Sequence, residues 1–429
     1  MEDALERADR AFRDWRGRGF AERRRLNERL ADLLESEEDE LAGLMALEMG
    51  KPLAQGVAEA RKCAWVARHY AETGEATLLP RHVPSDGSAT WVRHEPIGPI
   101  LAVMPWNFPF WQVIRVSAPN FLTGNPMLLK HAPSVPQCAE RIVGLYREAG
   151  APEGLVQNLF LTNEQAAALI GDRRVRGVTL TGSSRAGSEV GAIAGRFLKP
   201  MVAELGGSDP FIVFDDADPA EAAAAGADAR LINSGQSCIA AKRFLVHRPV
   251  LDGFLERFEA RFRSASVGDP MIPATTIGPL ARRDLRDRFE EQLAASVDAG
   301  AGWIYRGNAP ERGFFAAPGI LRGAPGGSPA ADEELFGPVA TVIPFETEAE
   351  AVKIANRTAY GLGSSVWTTD RALAGRMIEA VEAGSVFVNG ITKSDPRVPF
   401  GGTKASGFGR ELGPDGLTEF TNRKTVWMR

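Results

Sequence analysis

The sequence predicts an α/β protein built on mostly parallel sheets with helices on both faces. Three observations carry this reading. Short apolar runs such as PILAVMPW and NPMLLKHAP alternate with helical stretches such as CAERIVGLYREAG, the pattern of strands buried on both faces between crossover helices. The alternation resumes with the same grammar after VAELGGSDP, near residue 205, so two α/β units are expected. The chain has 429 residues, 44% of them hydrophobic, which is long for one domain and ample for two cores.

Taken in order, residues 3–79 read as helices, with apolar positions at helical spacing and few β-branched residues. ATWVRHEPIG reads as a strand closed by Pro96 and Gly98. Pro96 to Ile114, PIGPILAVMPWNFPFWQVI, is the most apolar stretch. Its four prolines, with Asn107 and Gln112 inside it, argue for a buried strand followed by a loop rather than a membrane span. NPMLLKHAP, LVQNLFL and RVRGVTLTGS supply further strands, and a glycine ends the helix CAERIVGLYREAG. In the second half, Asp218 caps a helix opened by Pro219 and Glu221. KRFLV, SSVWTT and SVFVNG read as strands, with LDGFLERFEARF, DLRDRFEEQLAASVDAG and AEAVKIANRTAYG as helices. The strand-like pieces 89–93 and 424–428 belong to neither unit, which suggests an extra sheet or pairing across subunits.

The formal charge of −5 gives no general reason to expect nucleic acid as a partner. Cys63, Cys138 and Cys238 are the only cysteines. They are too few and too far apart for a disulfide framework or metal cluster, and they fit a reducing compartment. The opening MEDALERADRAFRDWRGR has no apolar core of a secretion signal, so a cytoplasmic location is expected.

Chemistry concentrates in a few places. Cys238 arrives after the polar, glycine-bearing turn NSGQS. It is either a small packing residue or a loop-borne thiol whose pKa exposed turn amides would lower. Cys63 and Cys138 lie on helical patterns and read as packing residues. LTGSSRAGSEVG runs from strand to helix with the form of a pyrophosphate site, although it lacks the dinucleotide fingerprint and also fits a plain tight turn. Glu204, between apolar residues and a glycine pair, is either a carboxylate tuned by burial or a helix-cap or inter-domain ion-pair residue. Asn107 and Lys130 follow apolar strand runs, at the edge where open α/β sheets place ligands; satisfying backbone or reaching solvent is the plainer role for each.

Together the segments PWNFPF, GNPMLLKHAP, LTGSSRAG, ELGGSDPFIV, NSGQSC, EELFGPV and PFGGTKASGFGRELG resemble the NAD(P)-dependent aldehyde dehydrogenase superfamily, in order and spacing, from about Glu95 onward. The resemblance implies a Rossmann-like cofactor domain (1–80 and 95–205), an α/β catalytic domain (206–400) and a small β oligomerisation extension (81–94 and 415–429). It makes Cys238 the nucleophile, Asn107 the oxyanion-holding amide and Glu204 the base that activates water. It places Trp106, Lys130, Ser183, Glu334 and Phe336 around the cofactor. A homodimer or homotetramer is implied, acting on a small aldehyde.

Departures from the family pattern refine the expectation. Pro133 stands where many NAD-preferring members carry a ribose-binding glutamate, which tilts the choice toward NADP, alone or alongside NAD, with His131 nearby. Arg115, eight residues after Asn107, and Ser394 match positions that hold the substrate carboxylate in succinate-semialdehyde dehydrogenases of the shorter bacterial type. Ile232 replaces a second arginine found in some of them. Phe108, Trp111 and Phe244 supply either an apolar substrate wall or core. Residue 240 is alanine, so no disulfide forms two positions beyond the nucleophile. The expected reaction is therefore oxidation of succinate semialdehyde. The alternatives are broad turnover of neutral aldehydes, an acylating enzyme using coenzyme A, and a non-enzymatic descendant of the scaffold. Retention of Glu204 speaks against the acylating enzyme, and retention of Cys238, Asn107 and Glu204 against the non-enzymatic one.

Overall fold

A computed structural model describes all residues, Met1 to Arg429. The first sheet has six strands in the order Gly407–Phe408, Met201–Glu204, Gly177–Thr181, Ile100–Val103, Met127–Lys130 and Val156–Asn158. All neighbours are parallel except Gly407–Phe408. Ile100–Val103 is laid down first, then one neighbour on each side, so the chain reverses direction across the sheet there. Such a switch point opens a crevice at the strands' C-terminal ends, where Lys130, Thr181 and Glu204 end their strands and the Pro105–Asn107 loop follows.

The second sheet has seven strands, in the order Gly302–Arg306, Gly319–Arg322, Val339–Phe345, Arg243–His247, Pro210–Val213, Gly363–Trp367 and Ser385–Val388. Only the first pair is antiparallel. Phe244 packs here against Phe211, Phe254 and Phe258 in the core of this unit, so it is no part of a substrate wall. A third, antiparallel sheet joins Arg81–His82, Ala89–Pro96 and Thr421–Met428.

Two expectations need correction. The stretch through Ile114 is not strand then loop throughout, because a helix begins at Trp111 and runs to Thr123. Every one of its residues is buried, polar ones such as Gln112, Arg115 and Asn120 included, so there is no solvent-facing side for the pattern to reveal. It packs against the long helix Leu53–Leu78. The late segment from 415 is also not wholly an extension. Gly413–Thr418 is a helix whose Leu417 lies in the largest core, and the strand starts only at Thr421. No helix is long and apolar enough to cross a membrane.

Candidate active site

A cleft of about 410 Å³ opens at the switch point of the first sheet, against the second unit. Trp106, Asn107, Ser183, Cys238, Glu334 and Phe336 all line it, although they come from segments far apart in the chain.

The turn before Cys238 explains its own composition. Asn233, Ser234 and Gly235 are all left-handed, with φ of 53°, 57° and 76°, a costly run that polar residues and glycine tolerate best. At Gly235 a Cβ would lie 2.2 Å from the Gly337 carbonyl oxygen, so no side chain fits. The polar side chains are staples. Asn233 Nδ2 donates to the Asn107 carbonyl at 2.7 Å, Ser234 Oγ accepts from the Gly278 N–H at 2.9 Å, and Gln236 Oε1 accepts from the Ala281 N–H at 2.9 Å. Behind the turn the buried Lys242 ammonium donates to the carbonyls of Ser237, Cys238 and Ala240 at 2.9, 2.7 and 3.0 Å.

The thiol itself departs from expectation. Burial pushes the Cys238 pKa up to about 12, and the charges of Lys242 and Arg115 only partly offset it. The turn amides therefore do not produce a resting thiolate, because loss of water around the sulfur outweighs them. A base must take its proton.

Asn107 is fixed at both ends of its amide. Its Oδ1 accepts from Gln112 Nε2 at 3.0 Å, and its Nδ2 donates to the Gln236 carbonyl at 3.0 Å. An amide nitrogen has two hydrogens, so one remains for an oxyanion in the cleft.

Glu204 ends its strand beside Thr181 and Gly407. It is 2% exposed and its Oε1 has no hydrogen-bond partner. Burial, reinforced by the neighbouring Glu411 carboxylate, raises its pKa well above the usual range. Glu411 is raised too, again chiefly by burial. Arg115 lies between these groups: its Nε sits 2.5 Å from Glu411 Oε2, and its Nη2 donates to Thr181 Oγ1 at 3.2 Å. Its side chain is 4% exposed, with the guanidinium over the Phe400 ring at 5.4 Å. Arg115 is thus held by the protein through Nε and Nη2, while its Nη1 makes no hydrogen bond or ion pair.

On the opposite side, Lys130 is largely buried and makes no hydrogen bond or ion pair, and its pKa is lowered by desolvation. Ser183 caps the helix Ser184–Arg196 by accepting from the Ala186 N–H at 3.3 Å. Glu334 Oε1 accepts from the Gly207 N–H at 3.0 Å, and a Cβ on Gly206 would lie 2.7 Å from Glu334 Oε2. Trp106 meets Phe336 edge to face at 5.9 Å. An unpartnered ammonium, a helix N-terminus and a positioned carboxylate suit the phosphates and ribose hydroxyls of a dinucleotide. Pro133 is exposed. His131 is not available to a phosphate: its Nδ1 accepts from the Ala132 N–H and its Nε2 faces the Pro109 carbonyl at 3.0 Å. That pairing makes the ring neutral, and burial takes its pKa down to about 4.

The remaining predicted residues gather around the helix Leu53–Leu78. Phe108 lies under the Lys51 ammonium, 4.0 Å from its ring centre, and Ser394 accepts from Lys62 Nζ at 2.7 Å. Trp111 is buried beneath Lys62. Lys242 and Glu411 went unremarked in the sequence reading, and Gln112 figured there only as a polar residue within an apolar run. Lys242 had a faint signal: with Arg243 it opens a run of fully buried strand residues, an odd place for two cations.

A cleft lined by a cysteine and a fixed amide, with a buried carboxylate on the strand that ends beside it, defines a thiol-bearing oxidoreductase class. The aldehyde dehydrogenase family model matches residues 1–426, and the chain belongs to that family. It is 46% identical over 425 residues to a probable NADP(+) succinate-semialdehyde dehydrogenase of Synechocystis sp., covering 99% of this chain and 94% of the relative. A Mycobacterium tuberculosis NADP(+) succinate-semialdehyde dehydrogenase is 47% identical, with 100% and 94% covered. The crystal structure of succinic semialdehyde dehydrogenase from Streptococcus pyogenes, in complex with NADP+, superposes with a TM-score of 0.97 at 38% identity, covering 100% of this chain and 94% of that one.

Proposed function

We propose that this chain oxidises succinate semialdehyde to succinate, using NADP+ by preference and NAD+ as a second acceptor. The observation that carries the chemistry is Cys238 and the free Asn107 N–H on one cleft, with the buried Glu204 carboxylate next in sequence to the lining residue Leu205 and close enough for its charge to act on the Cys238 thiol. Near-full-length similarity to succinate-semialdehyde dehydrogenases supports the substrate.

The Cys238 thiol gives its proton to water in the cleft as its sulfur attacks the aldehyde carbon, and Asn107 donates to the oxygen that becomes an alkoxide. A nicotinamide cofactor, held by Lys130, Ser183 and Glu334, would supply the hydride acceptor that this oxidation requires. Glu204, held at a raised pKa, then removes a proton from water as that water attacks the thioester; Cys238 leaves as the thiolate and is returned to the thiol by the proton Glu204 has taken. Lys130, Ser183 and Glu334 hold the cofactor's ribose and phosphate groups, and Trp106 and Phe336 wall the cleft. The absence of a carboxylate at Pro133 supports use of a 2′-phosphate, through loss of repulsion rather than through His131.

We assign residues 1–80 and 95–205 to the cofactor domain and 206–400 to the catalytic domain, with 81–94 and the Thr421–Met428 strand as an oligomerisation extension. The open edges at Thr421–Met428 and Ser385–Val388 favour a homodimer or homotetramer by strand pairing. The three free cysteines favour a reducing, cytoplasmic setting, and net negative charge disfavours nucleic acid.

The test compares kcat/KM for succinate semialdehyde and neutral butanal by NADPH and NADH absorbance. A preference for the acid of roughly ten-fold or more is expected from a charge-assisted contact. Equal use of both aldehydes would leave the family standing and remove the substrate.

A further inference from the structure

The helix Trp111–Thr123 begins without a cap of its own. Its N-cap is Phe110, an apolar residue, so no side chain there accepts from the first N–H groups. The acceptor comes from another helix. Glu59, on Leu53–Leu78, takes the Phe110 and Trp111 N–H groups on its Oε1 at 2.9 and 3.0 Å. Its Oε2 pairs with the Lys51 ammonium, which lies over the Phe108 ring. Both charged side chains are at most 1% exposed. A buried ion pair is weak evidence for stability, because desolvation offsets its attraction. This pair instead grips residues 108–111, the segment directly after Asn107. Gln112, which fixes the Asn107 amide, is the next residue along.

One turn earlier on the same helix, Gln55 Oε1 accepts from the Asn233 N–H at 2.5 Å. Asn233 opens the left-handed turn before Cys238, and its own side chain donates to the Asn107 carbonyl at 2.7 Å. Gln55 and Glu59 are four positions apart and so share a helix face. One of them holds the amide-bearing loop and the other holds the cysteine-bearing turn.

We propose that Gln55 and Glu59 are positioning residues: the opening turns of Leu53–Leu78 set the spacing between Asn107 and Cys238. The inference rests on the reading of Asn107 as oxyanion donor and Cys238 as nucleophile, and adds the scaffold that registers one against the other. Neither residue lines the cleft, so both act through the groups they hold.

The oxyanion site needs such a reference. A donor stabilises an alkoxide only where it is already aimed, and a misplacement of about 1 Å can cost roughly 10²-fold in rate. Asn107 sits on an irregular segment between the strand Ile100–Val103 and the helix from Trp111, and Cys238 follows three left-handed residues. Neither stretch has a ladder of its own to fix it. The Glu59 carboxylate supplies what the loop lacks, since negative charge at a helix N-terminus is favourable and its hydrogen bonds are charge-assisted.

The test follows NADPH formed in the first turnover by stopped flow, with succinate semialdehyde and with butanal. It compares the native enzyme, Glu59→Ala, Gln55→Ala and Asn107→Ala, and each of the first two combined with Asn107→Ala. Thermal melts and cofactor titration by fluorescence accompany every variant. Glu59→Ala should slow the burst by about 10²-fold and Gln55→Ala by about ten-fold, with aldehyde KM and cofactor affinity within about two-fold of native. On the Asn107→Ala background each should slow it by less than about three-fold further, because the amide they position is gone. Glu59→Gln with Lys51→Met keeps an acceptor for the two N–H groups and removes the buried ammonium, so it should restore the burst to within about five-fold of native. Should Glu59→Ala fail to fold, Gln55→Ala carries the same comparison. Native burst rates in the folded single variants, or equal slowing with and without the Asn107 amide, overturn the proposal and leave Asn107 in its role. A native burst in Asn107→Ala overturns the reading of Asn107, and the proposal with it.

Discussion

The two sides of the cleft floor bury charge to opposite ends. Beneath Cys238, one ammonium, Lys242, gathers three carbonyls of a turn whose residues are left-handed, so charge there holds backbone in a shape it would not otherwise keep. Around Glu204, two carboxylates share one arginine, Arg115. One cation cannot stabilise both as anions in a dry site, so a proton is retained. The first arrangement fixes geometry and the second fixes protonation. A buried ionic group has no single use, and its partners decide which use it has.

The largest disruption should come from Cys238→Ala. Dehydrogenase turnover should fall by about four orders of magnitude or more, while cofactor binding, followed by fluorescence titration, persists. Substantial residual turnover would remove Cys238 as nucleophile. Glu204→Gln should slow steady-state turnover by roughly 10²–10⁴-fold yet retain a first-turnover burst of NADPH in stopped flow; loss of the burst would place Glu204 before hydride transfer rather than after it. In the native enzyme a raised Glu204 pKa means that its base form is lost as pH falls through that value, so steady-state rate should drop on the acid side.

Lys242→Met tests the geometric side. It leaves three carbonyls and the nearby Glu334 carboxylate without their cation, and should cost about 3–5 kcal/mol of stability in denaturant melts. It should also move Cys238 alkylation by iodoacetamide to higher pH, since Lys242 opposes the rise in the thiol pKa. Alkylation at unchanged pH would show that the lysine acts on shape alone. Arg115→Met tests the protonation side: both carboxylates lose the charge that lowers them, so the acid limb of the rate profile should shift upward. The ratio of acid to neutral aldehyde should fall roughly ten-fold or more if the guanidinium also holds the substrate carboxylate, and stay within about two-fold if it serves only the protein. The smallest effect is outside the floor. Pro133→Glu should lower kcat/KM for NADPH formation relative to NADH by about five-fold, the effect of ~1 kcal/mol of repulsion between charges 4 Å apart in water.

Local patterns were legible where one segment carries its own reason. The apolar runs ending at Val103, Lys130 and Thr181 announced strands, and NSGQSC announced a constrained turn because only polar residues and glycine suit three left-handed positions. What the pattern hid was partnership across the chain. Arg115 reads as a free cation until Glu411, hundreds of positions later, closes on it. The helix Trp111–Thr123 is buried all round, its Gln112, Arg115 and Asn120 included, so its polar residues do not mark a solvent face. Cys238 shows the remaining difficulty: turn chemistry favours the thiolate and burial opposes it, and only the packed structure says which wins.

The pairing of Gly407–Phe408 with Ala203–Glu204 also sets a timetable. A ribosome making this chain releases the base-bearing strand about 200 residues before the strand that borders it, a delay on the order of 10–40 s at ordinary synthesis rates. Gly413–Thr418 and Thr421–Met428 come later still and complete the same half of the molecule. The Cys238 turn is thus synthesised well before the wall of the water-activating pocket is finished. A nascent or stalled chain would carry the reactive thiol without the apparatus for releasing its ester, and full competence arrives only with the final strands.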